Sequence, residues 1–416
     1  MTPLSRLQEV DITSASLKRD PYPFYAQLRA QHPVLKTHIG KREAWLITRY
    51  DDVAAVLKDS RLVKNRHTVG ARSVVPLPRF LGLIQALERN MLDVDGADHA
   101  RLRALVHHAF TPRMIEGMRG RIQQTTDALL DELAQVPGPV DLISHFALPL
   151  PLAIICEMLG IPPEDRSRFH TWVRQALAVT SSEAGRWGMI RGIGGVLQLF
   201  HYVRRQIRRK RTAPQNDLLS ALIQAEEAGE RLSEDELVAM VFILLIAGHE
   251  TTVNLIGNGA LALMTHPEQL ALLCREPEMT KSAVEELARY ASPVETATER
   301  YAAEDLEIAG TVIPRGALVF AVLASANRDE TQFVRPDDLD LTRSPNRHLA
   351  FGLGVHYCVG APLARMEAQI ALSSLVARFP DLHLGALPQA LRWRPLLLLR
   401  GLETLPVQLG KNHSGS

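Results

Sequence analysis

Residues 351 to 360 read Phe351-Gly352-Leu353-Gly354-Val355-His356-Tyr357-Cys358-Val359-Gly360, a stretch in which three glycines surround a single cysteine. Its glycines let the backbone turn sharply and approach a flat ligand closely. An apolar, helix-favouring run follows from Ala361 to Ala368, so Cys358 is expected just before a helix N-terminus. The helix dipole and the free N–H groups there favour a thiolate over a thiol. The pattern therefore indicates either a nucleophile or a soft metal ligand.

Three interpretations of Cys358 follow from the residues alone. A lone cysteine is more often a small buried apolar residue than a functional one. A nucleophilic cysteine needs a neighbouring base, and His356 stands two residues away. A zinc site built on Cys358 and His356 lacks a second pair of ligands nearby in the sequence. The buried residue, the nucleophile and the metal ligand remain open at this level.

The order F-G-x-G-x-x-x-C-x-G followed by A-x-L-A-R, here from Phe351 to Arg365, resembles the haem-binding loop of cytochromes P450. In that family the cysteine is the proximal ligand of the haem iron, and thiolate ligation pushes electron density toward O–O cleavage. The resemblance implies that Cys358 is the axial iron ligand of haem b. It also implies that Phe351 packs beside the haem, that Gly360 lets the helix start pass close under the porphyrin, and that His356 lies near a haem edge or propionate.

Composition argues against several other classes of protein. The 416 residues are 46% hydrophobic and 22% charged, which is typical of a globular chain with a sizeable core. The net charge of +1 gives no electrostatic case for nucleic acid as a partner. Three cysteines, Cys156, Cys274 and Cys358, are too few and too scattered for a disulfide framework and suit a reducing cytosol. Residues 1–20 carry no apolar run, so the sequence predicts neither a signal peptide nor a membrane anchor.

A pair of basic side chains lies in a predicted helix that opens at Asp95. His99 and Arg103 are spaced i, i+4 and share one helical face, which in isolation is best interpreted as a solvated basic face. Cytochromes P450 carry H-x-x-x-R in the corresponding helix, with both side chains on the haem propionates. The resemblance implies that role for His99 and Arg103, because two carboxylates brought against protein need such cations. It also implies a propionate contact for Arg300 and makes His348 a second candidate of this kind.

One long helix is predicted from a capping box. Ser233 and Glu236 form S-x-x-E before an apolar run, and the helical pattern continues to about Thr265. The helix interior is apolar on nearly every side, which predicts burial. It then carries Ala247-Gly248-His249-Glu250-Thr251-Thr252, where a charge and hydroxyls are costly unless they are used. A structural alternative is a threonine hydrogen-bonded to the preceding turn, with Gly248 permitting a kink.

This stretch resembles the A-G-x-[DE]-T motif of the long central helix of cytochromes P450. There the threonine and the acid deliver protons to dioxygen at the haem, so the resemblance assigns proton delivery to Glu250 and Thr251. The acid-and-alcohol pair favours an electron-fed monooxygenase over a peroxide-using relative. Residues implicated upstream are Ala247 and Gly248, which would leave room for dioxygen, and Ile243 and Ile246, which would contact the substrate.

Glu286 and Arg289 form an E-x-x-R pair in a predicted helix. By default such a pair lies on the surface and contributes a few tenths of a kcal/mol. Its position before the cysteine loop matches instead the buried E-x-x-R pair of cytochromes P450. The resemblance implies a structural pair that braces the haem-binding core, with Arg347 as a third member.

The segment after that helix is predicted to be a strand from Glu295 to Arg300. Two residues within it, Thr296 and Ala297, line the substrate side in relatives, so the resemblance implies substrate contacts for both. A closing hairpin is predicted over residues 396–401, with its tip facing the pocket.

The resemblance covers roughly residues 10 to 410 and implies a mainly α cytochrome P450 fold, with a helical core around haem and small β-sheets. We expect residues 1–410 to form a single catalytic domain and residues 411–416 to form a disordered tail. The implied activity is that of a haem-thiolate monooxygenase. It would use O2 and insert one oxygen atom into a C–H bond of a hydrophobic substrate.

Electrons would come from NAD(P)H through a separate ferredoxin and ferredoxin reductase, with Arg101, Arg113 and Arg365 as candidate docking contacts. The resemblance favours a macrolide or polyketide-type secondary metabolite as substrate of a soluble, cytoplasmic bacterial enzyme, with neither nucleic acid nor membrane as partner. A fatty-acid, terpenoid or steroid hydroxylase is the alternative within the family. From other classes, a haem-binding sensor would keep Cys358 without needing the acid-and-alcohol pair, and a cysteine hydrolase would lack haem.

Overall fold

The computed structural model describes residues 4–40, 42–71, 87, 89–178, 186–227 and 232–410. Within these residues the chain is mainly helical with small β-sheets, which confirms the predicted fold class. Residues 411–416, the predicted tail, lie outside the described part of the chain. The chain forms two compact units, so a single domain over residues 1–410 stays a prediction. The first unit comprises Met1–Leu62, Arg119–Pro151 and Glu250–Ser416, and the second comprises Val63–Met118 and Leu152–His249.

The helices are numbered in chain order over the described residues. They are α1 (Leu4–Gln8), α2 (Ala15–Arg19), α3 (Tyr22–Gln31), α4 (Tyr50–Lys58), α5 (Gly96–Ala109), α6 (Pro112–Gly117), α7 (Arg119–Ala134), α8 (Pro149–Met158), α9 (Arg166–Ala178), α10 (Arg186–Thr212), α11 (Leu218–Glu227), α12 (Glu234–Thr265), α13 (Pro267–Arg275), α14 (Thr280–Ala291), α15 (Leu323–Ala326) and α16 (Ala361–Arg378). Single 3-10 turns lie at Arg66–Val69, Pro163–Asp165, Pro277–Met279, Gly354–His356 and Pro388–Ala390, and a π turn lies at Ile143–Ala147.

Three small sheets are formed by short strands. The strands are β1 (Val34–Ile39), β2 (Arg42–Ile47), β3 (Leu62–Val63), β4 (Val140–Asp141), β5 (Arg300–Ala302), β6 (Leu306–Ile308), β7 (Thr311–Ile313), β8 (Leu318–Ala321), β9 (His383–Leu384) and β10 (Pro406–Gln408). The largest sheet has the order β1-β2-β8-β5-β3, and the others are β4-β10-β9 and β6-β7. Strand β2 pairs antiparallel with β1 and parallel with β8, which in turn pairs antiparallel with β5.

The first unit has an apolar core between its largest sheet and two helices. Val53 and Val56 of α4 pack there with Val319 of β8 and Leu323 of α15, and all four are buried. Helix α16 of this unit packs against α7 and α14. These contacts hold α16, which directly follows the cysteine loop.

The second unit is helical in its described part. Helix α10 packs against α9 and α11, and α11 packs against α5. The start of α5 is fixed by the Asp95 carboxylate, which accepts hydrogen bonds from the Lys64 and Asn65 backbone N–H groups at 2.8–2.9 Å. A buried ion pair between Lys210 and Asp217 links the end of α10 to the start of α11.

Helix α12 has 32 residues and a length of about 48 Å at 1.5 Å per residue. The capping box forms as predicted: Ser233 N–H donates to the Glu236 carboxylate at 2.7 Å, and Glu236 N–H donates to the Ser233 hydroxyl at 3.2 Å. By length and composition alone this helix could cross a membrane, with a mean hydropathy of 1.6 over its most apolar 18 residues. Of that window 61% is buried in protein, as in the core helix of a soluble protein, so this is weak evidence for a membrane span.

The predicted strand from Glu295 to Arg300 is wrong over most of its length, because β5 begins only at Arg300. The backbone that precedes Arg300 forms hydrogen bonds with a different segment of the chain. The Glu295 N–H donates to the Leu398 carbonyl at 2.8 Å, and Val294 forms an isolated bridge with Leu399. The predicted hairpin is present but longer than expected. It is closed by a Trp393–Leu402 bridge, and residues 393–402 are called the closing hairpin below.

Candidate active site

The glycine-rich loop presents Cys358 within three residues of the start of α16. The Cys358 N–H donates to the Phe351 carbonyl at 3.0 Å and closes the loop on itself. Gly352 and Gly354 have φ of +72° and +75°, a region that favours glycine. A Cβ at Gly354 would lie 2.8 Å from the Leu57 carbonyl oxygen, so the loop also approaches backbone too closely for a side chain.

The donor chemistry of this loop fits a haem iron. The three cysteines differ in exposure: Cys156 is buried, Cys274 is half-buried and Cys358 is exposed. Burial raises the pKa of the Cys156 thiol to about 12 and also raises the pKa of the Cys274 thiol, which disfavours a thiolate at both. A Cβ at Gly360 would lie 3.9 Å from the Cys358 sulfur, an ordinary van der Waals contact, so Gly360 adjoins the sulfur. An exposed soft donor on a glycine-closed loop is suited to iron.

His348 has partners within the protein at both ring nitrogens. Its Nε2 lies 3.0 Å from the Glu285 carboxylate, and its Nδ1 accepts from the Ala350 N–H at 3.2 Å. A ring that carries its proton on Nε2 satisfies both bonds. The structure thus places His348 between Glu285 and the loop backbone, with its ring 6.0 Å from that of Phe351, and its propionate contact stays a prediction.

Arg365 is likewise engaged beside the loop. It donates to both Glu285 oxygens at 2.6 and 2.8 Å and to the Tyr357 hydroxyl at 3.0 Å. Burial alone would raise the pKa of the Glu285 carboxyl, but the hydrogen bonds from Arg365 and His348 outweigh it and hold that pKa at about 2. The guanidinium also stacks 4.2 Å over the Phe351 ring. Arg365 thus orders the loop, which makes it a poor candidate for the predicted ferredoxin contact.

The predicted propionate cations are divided between the two units. His99 and Arg103 lie on α5 in the second unit, where His99 is buried and both burial and the Arg103 charge lower its pKa. Arg300 lies in the first unit with Cys358, at the start of β5, and donates to the Leu57 carbonyl at 3.4 Å. The same Leu57 carbonyl lies against Gly354, so Arg300 is tied to the backbone that borders the cysteine loop.

Helix α12 is mostly buried, but part of it becomes exposed at the predicted oxygen motif. Ala247 and Gly248 are exposed, whereas most of the helix is buried. Ile243, Ile246 and Thr251 are half-buried. Positions 243, 247 and 251 are spaced by four and share one helix face. This face is accessible to a ligand, as the predicted dioxygen and substrate contacts require.

Glu250 is turned away from solvent. It is 3% exposed, and its carboxylate forms an ion pair with the Arg394 guanidinium of the closing hairpin. No sequence motif pointed to Arg394. A signal for the hairpin contact did exist, because Glu250, Asn254 and Asn258 repeat at a spacing of four in an apolar helix and so mark a polar face.

The two predicted substrate contacts after α14 differ in exposure. Thr296 is 1% exposed, and its hydroxyl donates to the Leu397 carbonyl of the closing hairpin at 3.4 Å. Ala297 is half-buried, and its N–H donates to the Ala321 carbonyl at 2.8 Å. Ala297 therefore offers surface to a ligand, whereas Thr296 is turned toward the hairpin.

Glu286 and Arg289 form an ion pair in which both side chains are fully buried. Arg289 donates to the two Glu286 oxygens at 2.8 Å each. Its remaining N–H groups donate to the carbonyls of Asn327, Pro336 and Asp338 at 2.7–3.1 Å. The pair therefore fixes the backbone of the loop that precedes the cysteine stretch.

The third member of this cluster is Arg343, where Arg347 was predicted. Arg343 Nε lies 3.1 Å from each Glu286 oxygen, and Asn346 donates to one of them at 3.1 Å. The turn brings Arg343 inward because the Asp340 N–H also donates to Glu286, at 3.0 Å. Arg347 is exposed, and its carbonyl accepts from the Tyr50 hydroxyl.

Glu367 is a buried acid on α16 that the sequence analysis did not single out. It is 2% exposed, and its Oε2 has no hydrogen-bond partner in the described part of the chain. Burial raises the pKa of this carboxyl to about 8. The folded protein therefore holds Glu367 protonated at neutral pH.

Glu367→Gln is expected to become more stabilising as pH rises. Between an unfolded pKa of about 4.5 and the folded pKa of about 8, the folded state holds one more proton than the unfolded state. Wild-type stability therefore falls by up to about 1.4 kcal/mol per pH unit through this window, and glutamine removes that fall. Urea unfolding of both proteins at several pH values from 5 to 9 measures the difference. Glu278→Gln, at an exposed position, is the control, and a Glu367→Gln effect that is independent of pH would contradict the assignment.

The comparisons with known proteins agree with this geometry. The model of the Cytochrome P450 family matches residues 193–393. The chain is 43% identical over 396 residues to the polyketide biosynthesis cytochrome P450 PksS of Bacillus subtilis, covering 94% of this chain and 96% of PksS. It is 41% identical over 404 residues to 6-deoxyerythronolide B hydroxylase of Saccharopolyspora erythraea, covering 96% and 98% of the two chains.

Solved structures extend the likeness to the whole fold. The structure of PksS superposes with a TM-score of 0.88 at 41% identity and covers 96% of this chain and 99% of that one. P450BioI, solved in complex with an acyl carrier protein ligated with hexadec-9Z-enoic acid, superposes with a TM-score of 0.85 at 39% identity, over 95% and 100% of the two chains. Identity at this level over nearly full length is sufficient to establish kinship, and the chain therefore belongs to the cytochrome P450 family of monooxygenases.

Proposed function

We propose that this monooxygenase hydroxylates a macrolide or other polyketide-type secondary metabolite. The observation that carries the chemistry is the exposed Cys358 on its glycine-closed loop before α16. The substrate class is supported by near full-length likeness to PksS and to 6-deoxyerythronolide B hydroxylase. The accessible face of α12, with Ile243 and Ile246 half-buried, suits an apolar substrate.

Residues of this chain would hold haem b at its iron, at its face and at its propionates. Cys358 would bind the iron, and Phe351 and Gly360 would lie against the porphyrin. The residues assigned to the propionates are His99, Arg103, Arg300 and His356. A haem held by a cysteine thiolate supplies an iron at which dioxygen is activated.

Proton delivery is assigned to Glu250 and Thr251 on α12. The Thr251 hydroxyl is half-buried on the same helix face as the exposed Ala247, so it can donate a proton toward a ligand on that face. Glu250 precedes Thr251 on the helix, and its carboxylate would first take up a proton and then pass it to that hydroxyl. Apolar Ile243 and Ile246 would hold the substrate and limit the entry of water from their side.

The electron donors are proposed to be a ferredoxin and a ferredoxin reductase in a cytoplasmic setting. Of the three predicted docking residues, Arg113 is exposed. Arg101 instead forms an ion pair with Glu236 at 2.5 Å, and Arg365 is bound to Glu285. Reconstitution with ferredoxin, reductase and NADPH tests this proposal: product must depend on both partner proteins.

A fatty-acyl substrate is the second candidate. It is favoured by the 39% identical P450BioI, whose structure contains a hexadec-9Z-enoic acid ligated acyl carrier protein. The two candidates are separated by titrating the purified enzyme with 6-deoxyerythronolide B and with hexadec-9-enoic acid. A shift of the haem absorption and an oxidised product with the macrolide alone support the first proposal. Turnover of the fatty acid alone would replace it with the second.

Thr251→Ala is expected to waste NADPH as hydrogen peroxide. Product per NADPH should fall by about tenfold or more. Loss of a general acid typically costs roughly 100-fold or more, and we expect a smaller effect here because water can take the place of the hydroxyl in part. NADPH consumption should continue, since electron delivery does not involve this hydroxyl. The measurement pairs product with peroxide in the same reaction.

Thr265→Ala is the matched control for this variant. It removes a threonine hydroxyl from the exposed end of the same helix, where the Thr265 hydroxyl donates to the Leu261 carbonyl at 2.9 Å. Its coupling of NADPH to product should equal that of the wild type. Unchanged coupling in Thr251→Ala would count against the proton-delivery role.

A further inference from the structure

A buried polar stripe runs along one face of α12 from the predicted relay acid. Glu250, Asn254 and Asn258 are spaced i, i+4 and i+8, and each is at most 3% exposed. A carboxylate and two carboxamides at such depth are costly unless they have partners. The contacts of these three side chains therefore show which element packs against the stripe.

The closing hairpin meets the stripe at each of its three positions. The Arg394 guanidinium pairs with the Glu250 carboxylate. Gly401 packs against Asn254 so closely that a Cβ there would lie 2.0 Å from the amide oxygen. The Asn258 amide donates to the Arg400 carbonyl at 2.8 Å. The hairpin thus lies along α12 in one register, with Arg394 opposite the acid.

The hairpin is also fixed by the segments on its other side. The Glu295 and Thr296 N–H groups both donate to the Leu398 carbonyl, at 2.8 and 3.3 Å. Arg400 donates through its Nε to the Lys18 carbonyl at 2.9 Å. Lys18 in turn forms a fully buried ion pair with Glu295 at 2.5 Å. The Arg394 backbone is therefore held in place independently of its own side chain, and the N–H of Arg394 donates to Gly401 within the hairpin at 2.9 Å.

Arg394 is suited to orient a carboxylate. Its planar guanidinium is always charged and presents N–H donors in a fixed fork. An ion pair with a nearly buried acid is screened less by solvent than a surface pair, so the geometry of the carboxylate follows that of the arginine. The residue comes from a segment 144 positions away along the chain, which explains why no local motif reveals it.

We propose that Arg394 is a positioning residue of proton delivery, which acts by fixing the orientation of the carboxylate of Glu250, the acid that precedes Thr251 on α12. This rests on the proposed function, in which Glu250 and Thr251 deliver protons. Arg394 touches neither the substrate nor the haem in this proposal. The closing hairpin, whose tip carries Leu396 to Leu399, is then the element that fixes the orientation of the Glu250 carboxylate.

The first test compares Arg394→Gln with Arg394→Lys and with Arg392→Gln in the haem-loaded enzyme. Arg392 is exposed and two residues away, so it provides the same chemical change outside the ion pair. In Arg394→Gln, product per NADPH should fall roughly 10-fold, the lower end of what loss of an outer-shell partner costs at metal sites. The lysine variant should recover part of the loss, and Arg392→Gln should match the wild type.

A peroxide-driven reaction separates positioning from a general structural role. Hydrogen peroxide supplies both the electrons and the protons that NADPH turnover must gather, so its use bypasses Glu250. Product formed from added peroxide, and the dissociation constant of the substrate, should stay within about twofold of wild type in Arg394→Gln. An equal loss with peroxide and with NADPH would assign Arg394 to structure alone and overturn the proposal, as would wild-type coupling.

A double-mutant cycle tests the ion pair without any turnover. Unfolding by urea is followed by circular dichroism for Glu250→Gln, Arg394→Gln and the double variant. The two single effects should fail to add, because each removes the partner of the other. Additive effects would mean that the pair does not exist in solution and would overturn the proposal. If the pair is present but coupling is intact, the inference fails while the proposed function stands. If no haem-dependent product forms in the wild type, the proposed function fails instead.

Discussion

Replacing Cys358 with histidine is expected to leave haem bound but to abolish monooxygenase activity. An imidazole can bind the iron from the same glycine-closed loop, yet it does not push electron density toward O–O cleavage as a thiolate does. Product formation should fall further than the roughly 10–100-fold that loss of an outer-shell partner costs, because the iron ligand itself is changed. The absorption spectrum should shift to that of an imidazole-ligated haem.

Cys274→Ser is the control for loss of a thiol. Cys274 is half-buried on α13, and its sulfur lies 3.7 Å from the Val376 carbonyl, which a hydroxyl can also approach. Its spectrum and activity should match those of the wild type. A Cys358→His protein that keeps a thiolate-type spectrum would show that another residue binds the iron.

Replacing Glu286 with alanine is expected to cost about 3–5 kcal/mol of unfolding free energy, as removal of one partner from a buried ion pair does. The change leaves the guanidinium groups of Arg289 and Arg343 facing each other without the carboxylate that both bind. It also removes the acceptor of the Asp340 N–H. Such a loss is a large part of the 5–15 kcal/mol typical of a folded protein, so haem retention should fall as well.

Glu286→Gln keeps the shape of the side chain and makes the test measurable if the alanine variant does not fold. Urea unfolding should still show a clear loss, because the amide cannot balance two buried cations. Asp338→Asn is the control: its ion pair with Arg335 lies in the same loop at 3.4 Å, but both side chains are more than half exposed. It should change stability by about 0.5 kcal/mol or less. Equal effects of the two substitutions would contradict the bracing role of Glu286.

Local patterns were sufficient for the helices that carry the site. The S-x-x-E box at Ser233 forms as predicted, because its hydrogen bonds join residues three apart and need no partner from elsewhere. The turns of the cysteine loop could be predicted for a similar reason, because its glycines favour a positive φ. The E-x-x-R spacing likewise places Glu286 and Arg289 on one helix face.

Contacts between distant segments were not predictable in the same way. The segment from Glu295 has the composition of a strand, but its N–H groups donate to the closing hairpin, whose position depends on the fold. Arg343 and Arg347 lie four residues apart in the same loop. The direction of one turn decides which of the two guanidinium groups reaches the Glu286 carboxylate. Nothing in the sequence indicates that Glu285 lies 3.0 Å from the ring of His348.

The difference spectrum of the dithionite-reduced protein with and without carbon monoxide identifies the axial ligand of the iron. A strongly red-shifted Soret band, the mark of a thiolate opposite the bound gas, is the predicted result and would establish Cys358 as the ligand once it is lost in Cys358→His. A band of imidazole or neutral thiol type would contradict thiolate ligation. Absence of any haem band in protein supplied with haem would contradict both haem binding and thiolate ligation by Cys358.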